Sequence, residues 1–418
     1  MLIFGEISTG MGNHFAVGII RTSMHSEKST QFEVFRVFLK LGCTAFGGPV
    51  AHLGYFREEF VKRRRWLDDA AYGDLVALCQ FLPGPASSQV VFALGQRQAG
   101  WLGGLLASLG FTLPSAMLMI LFGYGVVALG TMQNAGWLHG LKLAAVAVVA
   151  QAVWGMGRNL CPDRARLILV LAAALCVLSF PGAMAQVGVI VGGGIMGWCF
   201  YRKSISTSDE PKTVARIHHL IAGAMLILFF LLLALLPMLA SIAGRQIQMF
   251  DGFYRAGALV FGGGHVVLPM LRAEVVPNGW VTDDVFLAGY GAAQALPGPL
   301  FTFAAYLGTV MRPGADAWLG GVWCLIAIFL PSWLLIAGAL PFWNSLRTKT
   351  WIQAALRGAN AAVVGVLLAA LYHPVCTTGI KSMLDALVAV VAFGLLHRWK
   401  LPPWLVVFAA AAAGPWLC

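Results

Sequence analysis

Residues 220–240 read LIAGAMLILFFLLLALLPMLA, a run without a single charge. At about 1.5 Å per residue, a helix of this length reaches across the roughly 30 Å hydrocarbon core of a bilayer. Lipid offers no hydrogen-bond partner to a bare peptide group, so such a segment crosses as a helix, with its backbone bonds made internally. The rest of the 418-residue chain agrees: 59% of it is hydrophobic and only 11% charged, too few charges to clothe a soluble protein of this size. These features predict an all-α polytopic membrane protein. Its 49 glycines suit that class, because small residues let helices approach closely where no hydrophobic drive acts between them.

The formal charge of +11 does not imply a nucleic-acid partner. The basic residues stand in short loops between apolar segments, where they set orientation in the lipid bilayer. Residues 1–31 lack a basic stretch leading directly into an apolar core and a small-residue cleavage site, so no cleaved signal peptide is expected. The eight cysteines show no C-x-x-C pair, which implies neither a zinc site nor a disulfide framework, and no cofactor is expected.

The chain repeats itself. Phe35, Phe38, Lys40, Gly42, Phe46, Gly47 and Gly48 recur in order as Phe250, Phe253, Arg255, Gly257, Phe261, Gly262 and Gly263. WLDDAAYGDLVALCQFLPGP, from Trp66, returns as WVTDDVFLAGYGAAQALPGP, from Trp280; the blocks beginning at Gly103 and His139 return at Gly320 and Arg357. Four blocks in one order mark a duplication. The expected organisation is an N-terminal tail at 1–31, a first repeat at 32–201, a polar linker at 202–216, a connecting helix at 217–241 and a second repeat at 242–418. One added crossing between two even-numbered halves turns the second upside down, giving inverted-topology repeats.

Six apolar segments lie in each half and one between them. If all cross, the cluster REEFVKRRRW, from Arg57, falls on the face poorer in basic residues. If the segments carrying Phe-Gly-Gly and Pro-Gly-Pro are instead broken, re-entrant hairpins, nine spans remain and the basic loops gather on one side, as the positive-inside rule prefers. Either arrangement puts the N-terminus in the cytoplasm and the C-terminus outside.

Paired glycines open the backbone, and proline cannot donate to a helix ladder. CTAFGGPVAH and VFGGGHVVLP therefore interrupt helices, as do LPGPASSQ and LPGPLFTF in the next segment of each half. Apolar sequence resuming after Pro-Gly-Pro places a helix N-terminus inside the membrane, where free N–H groups and the positive dipole end favour an anion. Lys40 and Arg255 occupy equivalent places six residues before each Phe-Gly-Gly. Burying a cation in a span costs on the order of 3 kcal/mol, so a matched pair suggests a doubly charged oxyanion between them. Ser87, Ser88 and Thr302 offer hydroxyls after the turns, and Gln80 and Gln294 offer amides before them. Against this stand plainer roles: glycine packing, which also accounts for Gly192–Gly194; snorkelling of the cations or pairing with Glu33 or Asp251; and helix-end duties for Asp68, Asp69, Asp283 and Asp284. His52 and His265 do not superpose, which speaks against a shared metal.

FGGPVAH, FGGGH and the doubled Pro-Gly-Pro, in a tandem chain of this length, resemble the chromate ion transporter family from Phe35 onward. That resemblance implies a bacterial inner-membrane exporter of chromate that confers chromate resistance, with sulfate as a similar competitor. As site residues it implies Phe46, Gly47, Gly48, Pro49, Ala51 and His52, with the turns Pro83, Gly84, Pro85 and Pro297, Gly298, Pro299. The second half departs from the first by carrying Gly264 and His265 where Pro49 and Val50 stand; with Gly262 and Gly263 they complete the candidate site. Expected partners are the small oxyanion and the bilayer, with a homodimer as an open assembly. Alternating access around a midplane site is the expected mechanism, driven by membrane potential or proton-motive force; no nucleotide-binding G-x-x-x-x-G-K-[ST] loop is present. An importer of sulfate or another oxyanion, and an anion channel, are the alternatives.

Overall fold

Each half of the chain begins with two short broken helices and continues with longer ones. The computed structural model describes residues 30–46, 48–128, 136–180, 182–201, 219–242, 244–260, 264–312, 314–343 and 349–416, and no strand occurs among them. The first half holds α1 (Gln31–Thr44), α2 (Gly48–Phe56), α3 (Asp69–Phe81), α4 (Ala86–Ala128), α5 (Gly136–Leu160), α6 (Arg164–Ser179) and α7 (Ala183–Tyr201). After the connecting α8 (His219–Ile242), the second holds α9 (Arg245–Leu259), α10 (Val267–Val275), α11 (Asp283–Ala295), α12 (Phe303–Met311), α13 (Ala317–Ala339), α14 (Thr350–Ala370), α15 (Met383–His397) and α16 (Pro403–Ala413). Non-helical angles at Ala99 and Gly100 bend α4 into two arms, which correspond to α12 and α13.

The short helices end where the sequence withdraws helical support. Thr30 caps α1 and Asp68 caps α3, each accepting an N–H of the first turn. At the other end, α3 and α11 stop at Leu82 and Leu296, extended residues preceding the prolines. The 14 residues of α1 and nine of α2 rise about 21 and 14 Å, each less than the hydrocarbon core.

These pieces fold back on themselves. In the first repeat, Arg64 bonds Glu33 at 2.8 Å, the Phe38 and Phe60 rings stand 4.9 Å apart, and the His52 ring lies 3.2 Å from the Ala45 carbonyl. Contacts nested in this way define an antiparallel hairpin with its tip at Phe-Gly-Gly. The second repeat repeats it, Arg255 on α9 reaching Glu274 on α10 at 3.2 Å. The Pro-Gly-Pro segment turns back likewise, with the Tyr306 hydroxyl on α12 donating to the Val285 carbonyl on α11 at 2.9 Å. Hairpins of this kind are what the nine-span arrangement requires.

The halves meet reciprocally: α7 packs on α14 as α16 packs on α5, and α6 packs on α14 as α15 packs on α5. Contacts exchanged in this manner require a two-fold relation. At both seams a side chain would collide, because a β-carbon on Gly140 would overlap the Ala410 carbonyl and one on Gly358 the Gly193 carbonyl. Within the Gly192–Gly194 run, Gly193 thus serves packing, whereas a β-carbon on Gly192 would meet nothing within 4 Å. Among the described residues five helices are long and apolar enough to cross a membrane, and α8 presents Ile227, Phe230 and Met238 at 61–69% exposure, a surface that only lipid or another apolar body would cover favourably.

Candidate functional site

The tips of the hairpins come together. The Gly84 amide donates to the Val260 carbonyl at 2.6 Å, and the Gly298 amide donates to the Ala45 carbonyl at 2.9 Å. Gly84 and Gly298 are equivalent, as are Ala45 and Val260, so each Pro-Gly-Pro tip holds the residue that follows the first helix of the opposite repeat. Both glycines have left-handed backbone, with φ of 115° and 93°, which L side chains rarely adopt. Long helices close the crossing from outside: a β-carbon on Gly84 would stand 3.4 Å from Ser332 Oγ, and one on Gly298 would stand 2.8 Å from Ser115 Oγ.

From this crossing α4 starts at Ala86 and a 3-10 turn leading into α12 starts at Leu300. Ser87, Ser88 and Thr302 are buried in those first turns. Thr302 turns its hydroxyl back to the Pro299 carbonyl at 2.8 Å, while Gln89 donates to the Pro83 carbonyl at 2.8 Å and stiffens the turn before Pro85. Ser88 Oγ, Ser332 Oγ and Gln294 Nε2 have no hydrogen-bond partner among the described residues. Buried polar groups are normally satisfied, so these three donors keep hydrogen-bonding capacity that no described residue takes up. Gln80, the equivalent of Gln294, is exposed.

The remaining candidates divide. Phe46 is half-buried with its ring 6.0 Å from Trp404, and Gly48 and Pro49 open α2. His52 is buried, and because the Ala45 carbonyl can only accept, its Nε2 carries the hydrogen there, leaving Nδ1 without a partner. It secures the tip of its own hairpin. His265, in the 3-10 turn Gly264–Val266, instead meets the Tyr290 hydroxyl at 2.8 Å on α11. Pro297 is buried beside Gly298. Gly47, Gly262 and Gly263 lie outside the described residues.

The picture of two matched cations needs correction. Lys40 is exposed on α1 and has no ion pair among the described residues. Arg255 is engaged twice, with Asp251 at 2.8 Å and Glu274 at 3.2 Å. Equivalent places in sequence have acquired different surroundings, because Asp251 stands where the first repeat has Arg36. Sequence reasoning also passed over His139 and Lys142 on α5, which are buried and reach Asp385 at 2.7 Å and Asp284 at 2.8 Å in the second repeat. Two ionisable residues three apart in an otherwise apolar helix were the signal available for them.

Comparison with known proteins matches these features to one family. The family model described as chromate transporter fits the chain twice, at residues 32–198 and 247–415. A chromate transport protein of Pseudomonas aeruginosa is 31% identical over 396 residues, covering 92% of each chain. A probable chromate transport protein of Synechococcus elongatus is 29% identical, covering 91% of this chain and 94% of its own. An uncharacterized transporter of Methanocaldococcus jannaschii is 26% identical over 80% of this chain and 82% of its own. No solved structure matches.

Proposed function

Because this multi-pass membrane chain belongs to the chromate transporter family, a family of transporters and not of enzymes, we propose that it exports chromate across the bacterial inner membrane and so confers resistance to it. The observation that carries this reading is the reciprocal crossing at Ala45–Gly298 and Val260–Gly84. It gathers the N-terminal turns after both Pro-Gly-Pro motifs with the unused donors Ser88, Ser332 and Gln294. Helix N-termini and neutral donors suit a tetrahedral dianion, whose charge they stabilise without a counter-ion. Lys40, exposed near the first tip, supplies a cation that attracts the anion on its way in. Sulfate shares the charge and shape of chromate and is the natural competitor.

Two halves related by a two-fold and joined through backbone bonds at their tips are suited to alternating access, in which the halves rock about the crossing. With the cytoplasm inside and negative, expelling two negative charges gains about 4.6 kcal/mol per 100 mV. In this reading the N-terminus faces the cytoplasm and the C-terminus the outside, as the distribution of basic loops favours.

Chromate uptake into everted membrane vesicles tests this. Wild-type vesicles should accumulate chromate on energisation, excess sulfate should compete, and Ser88→Ala with Ser332→Ala should weaken apparent affinity about tenfold or more, as when hydrogen bonds to a charged guest are lost. Vesicles that accumulate no more chromate than those lacking the protein would reject the reading.

A further inference from the structure

The second repeat contains a charge imbalance that substrate binding alone does not use. Arg255 donates to Asp251 Oδ2 from Nε at 3.0 Å and to Glu274 Oε2 from Nη2 at 3.2 Å, so one guanidinium faces two carboxylates. Asp251 is 3% exposed, and its Oδ1 has no partner among the described residues. Glu274 approaches because residue 252 is glycine: a β-carbon there would stand 3.1 Å from Glu274 Oε2.

Among the described residues, no other charged side chain bonds either carboxylate. The elements packed most extensively on α9 among the described residues are α8, α10 and α13. Within α8 the titratable group is His219 at its far end, beside Phe342; α13 contributes only Cys324. On α10, Arg272 is taken by Asp283 at 2.7 and 2.9 Å. On α9 itself, Arg245 donates to the Met311 carbonyl. Two ionised carboxylates against one guanidinium leave a negative charge buried without a partner, which is expensive; a proton removes it at once. A metal cation is a poorer occupant, since the guanidinium already stands between the two carboxylates.

We propose that the Asp251–Arg255–Glu274 cluster is a proton-binding site linked to the oxyanion site, with Asp251 as the proton acceptor. The connection is α9, which ends at Leu259 and is followed directly by Val260, whose carbonyl holds Gly84 at the crossing. Nine residues of helix separate Asp251 from that carbonyl, about 13 Å. Across such a distance in a medium of intermediate dielectric, one unit of negative charge weakens dianion binding about tenfold or more. By reciprocity, binding the dianion makes the cluster take up a proton. This inference rests on the transport reading above, but concerns only the protonation of the carrier when the anion binds.

The test is titration of the purified full-length protein with chromate, in buffers of different ionisation enthalpy and alkaline enough that the free anion is a dianion. Wild type should bind chromate with uptake of a proton, and affinity should rise as pH falls. Asp251→Asn should bind about tenfold more tightly than wild type at alkaline pH, with no uptake. Glu274→Gln, which also balances the cluster, should behave the same and stands in if Asp251→Asn does not fold; Asp251→Glu should restore uptake. Chromate binding without proton uptake in wild type, or uptake undiminished in both neutral variants, overturns the proposal and leaves the transport reading standing. Absence of chromate binding in wild type rejects both.

Discussion

The two Phe-Gly-Gly hairpins share a backbone and differ in charge. Each carries an arginine near the end of its second helix, Arg57 just past α2 and Arg272 in the last turn of α10, that bonds the aspartate opening the next: Arg57 with Asp69 and Arg272 with Asp283, both at 2.7 Å. Each also keeps a glutamate two residues later, Glu59 or Glu274. Beyond that the hairpins diverge. In the first, Glu59 is neutralised by Arg63 and Arg64, so Arg36 and Lys40 are left exposed and cationic. In the second the basic run is missing, Asp251 replaces Arg36, and Arg255 alone balances Asp251 and Glu274. Duplication thus preserved the part that shapes the hairpin and released the part that sets its field: one tip is approached by free cations, the other by a buried excess of carboxylate.

The largest effect expected from this contrast is at Arg255. Arg255→Met leaves two buried carboxylates without a partner, which should destabilise the protein by about 3–5 kcal/mol. Lys40→Met, at the matching place, removes an exposed ammonium and should change stability by less than about 0.5 kcal/mol. Thermal unfolding in detergent separates them. Adding Asp251→Asn and Glu274→Gln to Arg255→Met should recover most of the loss; failure to recover would mean that Arg255 acts through packing and not through charge.

The next contrast lies in the shared ion pair. Arg272 grips Asp283 with two bonds while both side chains are 19–28% exposed. Arg57 makes one bond to Asp69, and both of these are more than half exposed. Arg272→Ala should therefore cost about 1.5–3 kcal/mol, the range for a charge-assisted bond lost in a sheltered place, and Arg57→Ala should leave the unfolding temperature unchanged. Equal shifts would show that the two pairs share one environment, contrary to their exposures.

Much of this was legible beforehand. Glycine and proline punctuate a helix by their own chemistry, so Phe-Gly-Gly and Pro-Gly-Pro marked the hairpin tips, and the recurrence of four blocks marked the halves. The bonds that join the halves were not legible, since Gly84 to Val260 and Gly298 to Ala45 are made by backbone atoms, which every residue possesses. The fate of Arg255 was hidden for a related reason. Asp251 was visible one turn away, but Glu274 becomes a partner only when α10 folds back along α9 and Gly252 leaves room for it. His52 and His265 likewise read as neighbours of one motif, whereas their bonds run to Ala45 within one hairpin and to Tyr290 in another segment.

The smallest effect separates α5 from its counterpart α14. His139 on α5 gives Asp385 one bond at 2.7 Å, but Asp385 also accepts the amides of Lys381 and Ser382 at 2.9 and 2.8 Å, closing the capping box that starts α15. Both amides reach Oδ2, so removing the imidazole leaves the buried Oδ1 without its bond, while the other oxygen of the carboxylate keeps two backbone donors. His139→Ala should cost about 1–2 kcal/mol, the lower part of the range for a buried acceptor left unpaired. Arg357, at the matching place on α14, has no ion pair among the described residues, and Arg357→Ala should stay within about 0.5 kcal/mol. A larger loss for His139→Ala, comparable to that for Asp385→Ala, would mean that the imidazole and not the backbone holds the carboxylate. The contact between α5 and α15 would then be an ionic latch between the repeats, and the two-fold seam would owe its strength to charge on one side and to small-residue packing on the other.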